Sequence, residues 1–380
     1  GDIVLADVRR PSGTMEIIDR RDNSLAYWKD TRRVQPAELI PAIQVAEAGT
    51  LSIVQEEVFA SSTDVPLAMS VAETRDKSLL CVKSVATSVT SILFNPRTGG
   101  LGSPVTVVSP GASTGASIVR VPVSNGTFRF LCVYDDANVV YVKASTDDGS
   151  TWGTAAAVWD VSALAGPPTL AQPFAYLLRD GRVVIAAVFT TGGSDLCRVI
   201  VSDDYGVSWS TNTNAGWTIG AGVTNSYPTL VQDPVSGWVW KAAEFTGGIG
   251  MTLLADETLT AEIGVGYTVS FDARNDTQSG PVAMFLTESG QVVAAFGEHH
   301  TADVDTFIHT SRVGLVELGN TTYDVIQFDN RRLLTLYTAT AEKPPRCFAY
   351  IAQDGSRWLG YFDATSAANY TGFLTQCMVK

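Results

Sequence analysis

Histidines and carboxylates crowd one segment of the chain. Glu298, His299 and His300 are adjacent, and Asp303 and Asp305 follow closely. Imidazole and carboxylate together form a common ligand set for transition metals. Adjacent residues of a strand point to opposite faces, however, so the two histidines are poorly placed to reach one ion. We therefore expect an exposed loop here and predict no metal site.

Other carboxylates are candidates for acid and base chemistry. Glycoside hydrolysis needs two carboxyl groups that flank the bond to be broken, and such a pair could be drawn from Asp135, Asp136, Glu244 and Glu298. A calcium site at Asp135-Asp136 would need about six or more oxygen ligands, and no spaced acidic motif accompanies the pair. No metal or cofactor is predicted, and the glycosidase pairing stays an open alternative.

Two eight-residue segments share the pattern S-x-D-x-G-x-[ST]-W. We call them box 1 (Ser145–Trp152) and box 2 (Ser202–Trp209). The aspartate of such a turn accepts backbone N–H groups, the glycine supplies a positive φ, and the tryptophan folds back as an apolar plug. The residues assigned to these structural roles are Ser145, Asp147, Gly149, Trp152, Ser202, Asp204, Gly206 and Trp209. A third segment, Ile351–Trp358, keeps the glycine and the tryptophan but has Gln353 in place of the aspartate.

The elements that position these motifs read as short strands. Segments rich in Val, Ile, Thr, Phe and Tyr alternate with clusters of Gly, Asn, Asp and Ser, which is typical of antiparallel strands. A polar turn recurs about every 40 to 56 residues, at positions 75–77, 125–126, 180–181, 236–237, 289–290 and 329–330. Six copies of blade length predict an all-β fold, a six-bladed β-propeller of four-stranded antiparallel blades.

Composition restricts the partners and the compartment. Apolar residues make up 45% and charged residues 17% of 380 positions, which predicts a globular protein. The net charge of −13 disfavours nucleic acid, and no segment resembles a membrane helix or an export signal. Cys81, Cys132 and Cys347 lie inside apolar runs. We expect buried thiols and folding in a reducing compartment, with a disulfide framework as the alternative.

The two boxes and the six-fold repeat resemble Asp-box (BNR-repeat) proteins of the sialidase-like propeller superfamily. The resemblance covers roughly residues 65 to 363. It implies that the boxes are structural, lying at the blade periphery between the third and fourth strands. Their aspartates are therefore not expected to act in catalysis.

The resemblance also implies binding residues. Arg120-Val121-Pro122 is similar to the Arg-Ile-Pro motif whose arginine grips the substrate carboxylate. Asp135 and Asp136 stand where the family has an acidic residue, Tyr227 replaces the base glutamate, and Tyr323 resembles the tyrosine nucleophile. The family's further arginines, its acid/base aspartate and its base glutamate have no counterpart in this sequence. These five residues are thus predicted to bind ligand, and Arg120, Asp135 and Tyr323 are weak catalytic candidates.

The beginning of the chain differs in charge. Residues 1–40 hold seven basic and seven acidic side chains, so the whole net charge of −13 belongs to the rest. We predict a short N-terminal extension or arm over residues 1–60 and the propeller over residues 61–380. Docking on another protein and closing the propeller as a strand are equally open roles for this extension.

These observations predict a non-catalytic glycan-binding, attachment or structural propeller. Its expected partners are a glycan or cell-surface receptor and, through the arm, other virion proteins. A phage virion component that folds in host cytoplasm reconciles the thiols with a role outside the cell; an extracellular protein whose signal was removed is the other location. The alternative function is a sialidase-like or other glycoside hydrolase with an altered catalytic site.

Overall fold

A computed structural model gives the fold. It describes the following residues: 6–9, 16–19, 50–123, 127–162, 169–191, 194–210, 217–220, 228–233, 237–245, 248–254, 259, 262–269, 277–279, 283–286, 292–300, 305–319, 322–327, 331–337, 347–351, 357–366 and 369–379. All regular elements among them are strands. No helix in this part of the chain is long and apolar enough to cross a membrane.

The first half of the chain forms three blades after three initial strands. The initial strands are β1 (Ala6–Arg9), β2 (Glu16–Asp19) and β3 (Thr50–Ser62). Blade 1 contains β4 (Ala68–Glu73), β5 (Leu79–Val85), β6 (Ser88–Asn95), β7 (Gly100–Leu101) and β8 (Val105–Val108). Blade 2 contains β9 (Ala116–Pro122), β10 (Phe128–Asp136), β11 (Val139–Ser145) and β12 (Ala156–Asp160). Blade 3 contains β13 (Thr169–Leu177), β14 (Val183–Thr191), β15 (Ser194–Ser202) and β16 (Trp217–Gly220).

The second half forms three more blades. Blade 4 contains β17 (Thr229–Gln232), β18 (Val239–Phe245), β19 (Gly248–Leu254) and β20 (Glu262–Val269). Blade 5 contains β21 (Thr277–Ser279), β22 (Ala283–Leu286), β23 (Val292–His300), β24 (Asp305–Gly319), β25 (Thr322–Gln327) and β26 (Arg331–Tyr337). Blade 6 contains β27 (Cys347–Ile351), β28 (Arg357–Ser366) and β29 (Asn369–Val379).

The blades close into a ring around an axis. All strand pairs are antiparallel, and one inner strand of each blade contacts the inner strands of both neighbours, in the order β4, β9, β13, β17, β22, β27 and back to β4. In blades 1 and 5 single strand positions are split, because β7 and β8 both pair with β6, and β21 and β22 both pair with β23. The predicted six-bladed propeller of four-stranded blades is confirmed.

A strand from the beginning of the chain completes the last blade. β3 pairs with β29, so that Thr50 lies opposite Val379 and the sheet of blade 6 reaches its fourth strand. The arm predicted for residues 1–60 therefore overlaps the propeller sheet from residue 50 onward. Further toward the start, β1 and β2 form a separate two-stranded hairpin.

Alternation along the central strands builds the core between blades. In β14, Val183, Ile185 and Ala187 pack toward blade 2, whereas Val184 and Ala186 pack toward blade 4. Because successive side chains of a strand point to opposite faces, a strand covered on both sides is apolar throughout. Within the described part, Cys81 and Cys132 are buried, free thiols, as the sequence predicts.

One predicted turn and one predicted motif take other positions. Residues 329–330 lie outside the described part, between β25 and β26, which both pair with β24 in blade 5, so the turn predicted there does not begin a sixth blade. The sixth inner hairpin instead joins β27 to β28, and the segment Ile351–Trp358 spans that connection. This segment does not match boxes 1 and 2 in position, because those lie between the third and fourth strands of blades 2 and 3, and this one lies between the first and second strands of blade 6.

Candidate functional site

A cavity of about 440 Å³ lies on the axis, inside the ring of first strands. Every blade contributes to its wall, and most of the wall is aliphatic or aromatic. The lining residues are Ser70, Val71, Ala72, Ile118, Val119, Arg120, Pro122, Phe128, Phe174, Ala175, Tyr176, Leu177, Leu230, Val231, Met284, Phe348 and Tyr350. A cavity of this size is sufficient for a small-molecule ligand.

Arg120 is the arginine of the described wall. It lies in β9, and its guanidinium carbon is 3.6 Å from the centroid of the Phe128 ring, so the charged group stacks on an aromatic face. Its Nε and Nη1 atoms are buried without a hydrogen-bond partner. Burial lowers the pKa of Arg120, while Tyr350 and Glu73 act in the opposite direction. An acceptor group of a ligand would satisfy donors that the protein leaves unmet.

Two other described arginines also have an unmatched buried Nε, namely Arg129 and Arg198. Arg129 donates from Nη2 to the carbonyl of Tyr205 at 2.5 Å, and Arg198 lies 5.0 Å from the centroid of Phe189. Neither lines the axial cavity. Arg120 differs from both because two of its donors are unmatched and because it faces the space in which a ligand fits.

A tyrosine and a carboxylate meet beside Arg120. The hydroxyl of Tyr350 donates to Glu73 Oε2 at 3.4 Å and accepts the backbone N–H of Glu73 at 3.1 Å. Lys77 Nζ lies 3.0 Å from Glu73 Oε1. Burial raises the pKa of Tyr350, and the charge of Glu73 raises it further. The resting pair therefore favours the protonated phenol, which is a poor nucleophile.

Hydroxyl groups join neighbouring inner strands. In each case a side-chain oxygen of one blade accepts a backbone N–H of the next blade, which occupies the free edge of an inner strand. These pairs are Ser70 with Ile118 at 3.0 Å, Ser117 with Ala175 at 3.1 Å, Tyr176 with Gln232 at 3.2 Å and Tyr350 with Glu73 at 3.1 Å. We call them the seam hydroxyls.

Asp135 and Asp136 hold a loop. Asp135 is 1% exposed and accepts from the backbone N–H groups of Thr114 and Gly115 and from the hydroxyls of Ser113 and Thr114, at 2.9 to 3.1 Å. Asp136 accepts the N–H groups of Gly111 and Ala112, each at 3.1 Å. Burial raises the pKa of Asp135 against the effect of these hydrogen bonds. Both carboxylates are thus occupied by the segment that leads into β9.

The predicted binding residues of blade 2 do not share a site. Arg120 is opposite Phe130 in the β9–β10 register, and Asp135 lies five residues farther along β10, past the pair Tyr134 and Ala116. At about 3.3 Å per residue, this offset is roughly 16 Å. Arg120 is near the end of the blade that carries the boxes, and Asp135 is at the other end.

Two further predicted residues are not brought into the cavity. Tyr227 lies outside the described residues. Tyr323 is in β25, opposite Glu317 of β24, and is not in one of the six inner strands that line the axis. Glu298, His299 and His300 lie at the end of β23, and their side chains are outside the described part.

Box 1 forms a hydrogen-bonded turn between β11 and β12. Asp147 Oδ1 accepts the hydroxyl of Ser145 at 2.8 Å and the N–H of Thr151 at 2.9 Å, and Oδ2 accepts the Thr151 hydroxyl at 2.6 Å. The Ser145 oxygen accepts the N–H of Gly149, whose φ is 81°. The hydrogen bonds from Thr151 lower the pKa of Asp147.

Box 2 repeats these contacts between β15 and β16. Asp204 Oδ1 accepts Ser202 Oγ at 2.7 Å and the N–H of Ser208 at 2.8 Å, and the N–H of Gly206 bonds to Ser202 Oγ at 2.7 Å. The hydrogen bonds from Ser208 lower the pKa of Asp204. The aspartates of both boxes thus accept hydrogen bonds within their own turns.

Each box also packs against the preceding blade. A Cβ on Gly149 would lie 2.6 Å from Leu80 Cδ1, and one on Gly206 would clash with Leu131 Cδ1. Trp152 Nε1 donates to Ser91 Oγ of blade 1 at 3.3 Å. The boxes therefore fasten blade 2 to blade 1 and blade 3 to blade 2.

Sequence reasoning missed Glu73 and Tyr350. Glu73 ends a strand in which all six residues are buried, and a carboxylate in such a strand is a signal of a specific partner. The partner itself is 277 residues away. No local pattern could therefore have named Tyr350.

Comparison with known proteins gives the fold. No protein-family model matches the chain, and no curated protein matches it. Among solved structures, a protein of unknown function from Dyadobacter fermentans aligns with a TM-score of 0.62 at 11% identity, over 87% of this chain and 100% of its own. The intramolecular trans-sialidase of Ruminococcus gnavus has a TM-score of 0.55 at 10% identity, over 84% and 96%. The leech intramolecular trans-sialidase has a TM-score of 0.54 at 9% identity, over 90% and 71%. At identities this low, structural similarity is evidence of the fold only. The chain has the sialidase-like β-propeller fold.

Proposed function

We propose that this protein is a propeller that binds an acidic glycan in its axial cavity without cleaving it. The observation that carries the proposal is Arg120, whose Nε and Nη1 donors are buried and unmatched in the wall of that cavity. A guanidinium group recognises a carboxylate by charge-assisted hydrogen bonds. The two trans-sialidases of similar fold act, by their names, on sialic acid, which carries a carboxylate.

The aromatic residues of the wall support a sugar ligand. Phe128, Phe174, Tyr176, Phe348 and Tyr350 line the cavity together with Arg120. Aromatic faces pack well against the apolar C–H faces of a sugar ring, and a nearby cation fixes the orientation of an acidic ring.

The chemistry beside Arg120 favours binding over cleavage. Glycoside hydrolysis needs an acid or base and a nucleophile in suitable protonation states. The Glu73 carboxylate is held by Lys77 and Tyr350, and burial keeps the Tyr350 phenol protonated. In the described wall no second arginine assists Arg120.

A hydrolase is the second candidate, because a tyrosine and a carboxylate do lie together beside Arg120. If Glu73 accepts the phenol proton when a substrate binds, Tyr350 becomes a nucleophile. Turnover of a fluorogenic sialoside that is lost in Tyr350→Phe and kept in Tyr323→Phe would establish this alternative. We expect no turnover in the unmodified protein.

Binding is tested directly on a glycan array. The unmodified protein should bind acidic glycans, Arg120→Met should lose that binding, and Arg129→Met should keep it. Arg129 is a matched control, since it lies in the adjacent strand of the same blade and does not line the cavity. Equal binding by Arg120→Met and the unmodified protein would refute the proposed site.

We also propose a setting, which is a phage virion whose receptor-binding or fibre component is this propeller. Cys81 and Cys132 are buried thiols, in keeping with folding in a reducing cytoplasm before release. In this proposal the residues that precede β3 dock on other virion proteins. Mass spectrometry of purified particles should detect the chain, and particles of a phage lacking residues 1–49 should not.

A further inference from the structure

The described wall of the axial cavity has few polar side chains, and most of them take part in contacts between blades. Ser70, Arg120, Tyr176 and Tyr350 are the residues of the described wall with polar side chains. Three of these belong to the seam hydroxyls, and each oxygen accepts a backbone N–H of the next blade. The Tyr350 hydroxyl also donates to Glu73. These accepting contacts join the inner strands, so at most the O–H donors of Ser70 and Tyr176 remain for a ligand.

Arg120 is the exception, because its Nε and Nη1 donors have no partner. The remainder of the described wall consists of aliphatic and aromatic side chains, including Phe174, Leu230, Met284 and Phe348. The described part of the cavity wall therefore combines one anion anchor with an apolar lining. Such a lining gains free energy from burying apolar surface and returns little to a hydroxyl group that gives up water.

We infer that the axial cavity takes a carboxylate that carries few hydroxyl groups, such as a deoxygenated, alkylated or acylated acid. The inference rests on the proposed function and narrows it to one ligand class. In an acidic glycan, the residue that enters the cavity then has its hydroxyls removed or acylated. A fully hydroxylated uronic acid is a poor ligand, because its buried hydroxyls find few free side-chain partners.

Two probes of matched ring size and charge test this inference. Cyclohexanecarboxylate and glucuronate each carry one carboxylate on a six-membered ring, and they differ in hydroxyls and in the ring oxygen. Isothermal titration of the full chain should give a Kd for cyclohexanecarboxylate at least about tenfold lower than that for glucuronate, since apolar sites discriminate against added hydroxyls by factors of this order.

Variants and a neutral probe place the binding in the cavity. Arg120→Met should weaken cyclohexanecarboxylate binding at least about tenfold, whereas Arg129→Met should leave it unchanged. Cyclohexylmethanol, which lacks the charge, should bind the unmodified protein at least about tenfold more weakly than the acid. This comparison requires no variant and stays informative even if Arg120→Met folds poorly.

The outcomes separate the inference from the proposed function. If glucuronate binds as tightly as cyclohexanecarboxylate and both depend on Arg120, the acidic-glycan site stands and the inference is overturned. If neither acid binds, or if binding ignores Arg120, the proposed site fails and the inference fails with it. Preference for cyclohexanecarboxylate, lost with Arg120, supports both.

Discussion

The two ends of blade 2 differ in whether their buried polar side chains have hydrogen-bond partners. At one end, Asp135 is 1% exposed and accepts hydrogen bonds from Ser113, Thr114 and Gly115. Toward the other end, Arg120 stacks on Phe128 with two buried donors unmatched. By residue type alone, both Arg120 and Asp135 are candidate ligand-binding residues. Their hydrogen bonds separate them, because the fold supplies the partners of Asp135, whereas the unmatched donors of Arg120 are available to a ligand.

The largest effect is expected at the satisfied end. Asp135→Ala leaves the backbone N–H groups of Thr114 and Gly115 without their acceptor in a buried position. We expect the free energy of unfolding to fall by roughly 2–4 kcal/mol, measured by urea denaturation. Asp136→Ala is the control, since its donors at Gly111 and Ala112 are exposed, and about 1 kcal/mol or less is expected there. Equal losses of stability in the two variants would show that burial of the hydrogen-bonded donors does not determine the size of the effect.

The next effect concerns the boxes, which share an end of the blade with Arg120. In Gly206→Ala, the new Cβ meets Leu131 of blade 2 and the backbone must keep a φ of 84°. We expect a loss of about 2–3 kcal/mol from strain and overpacking together. Gly99 has a φ of 69° with nothing within 4 Å of its Cβ position, so Gly99→Ala isolates the strain and should cost about 1 kcal/mol. Equal decreases in melting temperature in Gly206→Ala and Gly99→Ala would show that box 2 does not fasten blade 3 to blade 2.

The sequence was sufficient for features that are local or periodic. Five of the six recurring turns precede the second strands of blades 1 to 5, and the spacing within Ser145–Trp152 and Ser202–Trp209 indicated two hydrogen-bonded turns. The sixth recurring turn, at 329–330, lies within blade 5, so the predicted number of blades is right although this turn does not mark the sixth. Features that join distant parts of the chain were out of reach. The pairing of β3 with β29 and the contact between Glu73 and Tyr350 bring the first and last blades together, and nothing near those residues encodes their partners. The same limit explains why Arg120 was placed with Asp135, which is near in sequence and far along the blade.

Acidity sharpens the contrast between box aspartates and Asp135. Hydrogen bonds from Ser208 and Thr151 hold the pKa values of Asp204 and Asp147 below the ordinary 3.8. The unfolded chain then takes up protons first as the pH falls below about 4, so stability falls with acidification. The raised pKa of Asp135 has the opposite sign and removes stability as the pH rises through its folded value. When the urea midpoint is measured at several pH values, Asp204→Asn should therefore lose less stability on acidification than the unmodified protein. An equal loss in both proteins would contradict a lowered pKa of Asp204.

The smallest effect on stability, and the most direct test of the comparison, is at Arg120. Its two buried donors are unmatched, so Arg120→Met removes a desolvated charge and keeps an apolar chain against Phe128. Without ligand, we expect the free energy of unfolding to stay constant or rise by up to about 1 kcal/mol, with urea denaturation as the measurement.

Binding of the acidic ligand should be lost in the same variant, so stability and function move in opposite directions, as expected of a group retained for binding. Arg129→Met is the counterpart, because it breaks the 2.5 Å hydrogen bond to the Tyr205 carbonyl and should lower stability without affecting the ligand. A loss of about 2 kcal/mol or more in Arg120→Met would mean that its guanidinium supports the fold as Asp135 does. Both ends of blade 2 would then carry a polar side chain that stabilises the fold, and the two would differ only in their contacts.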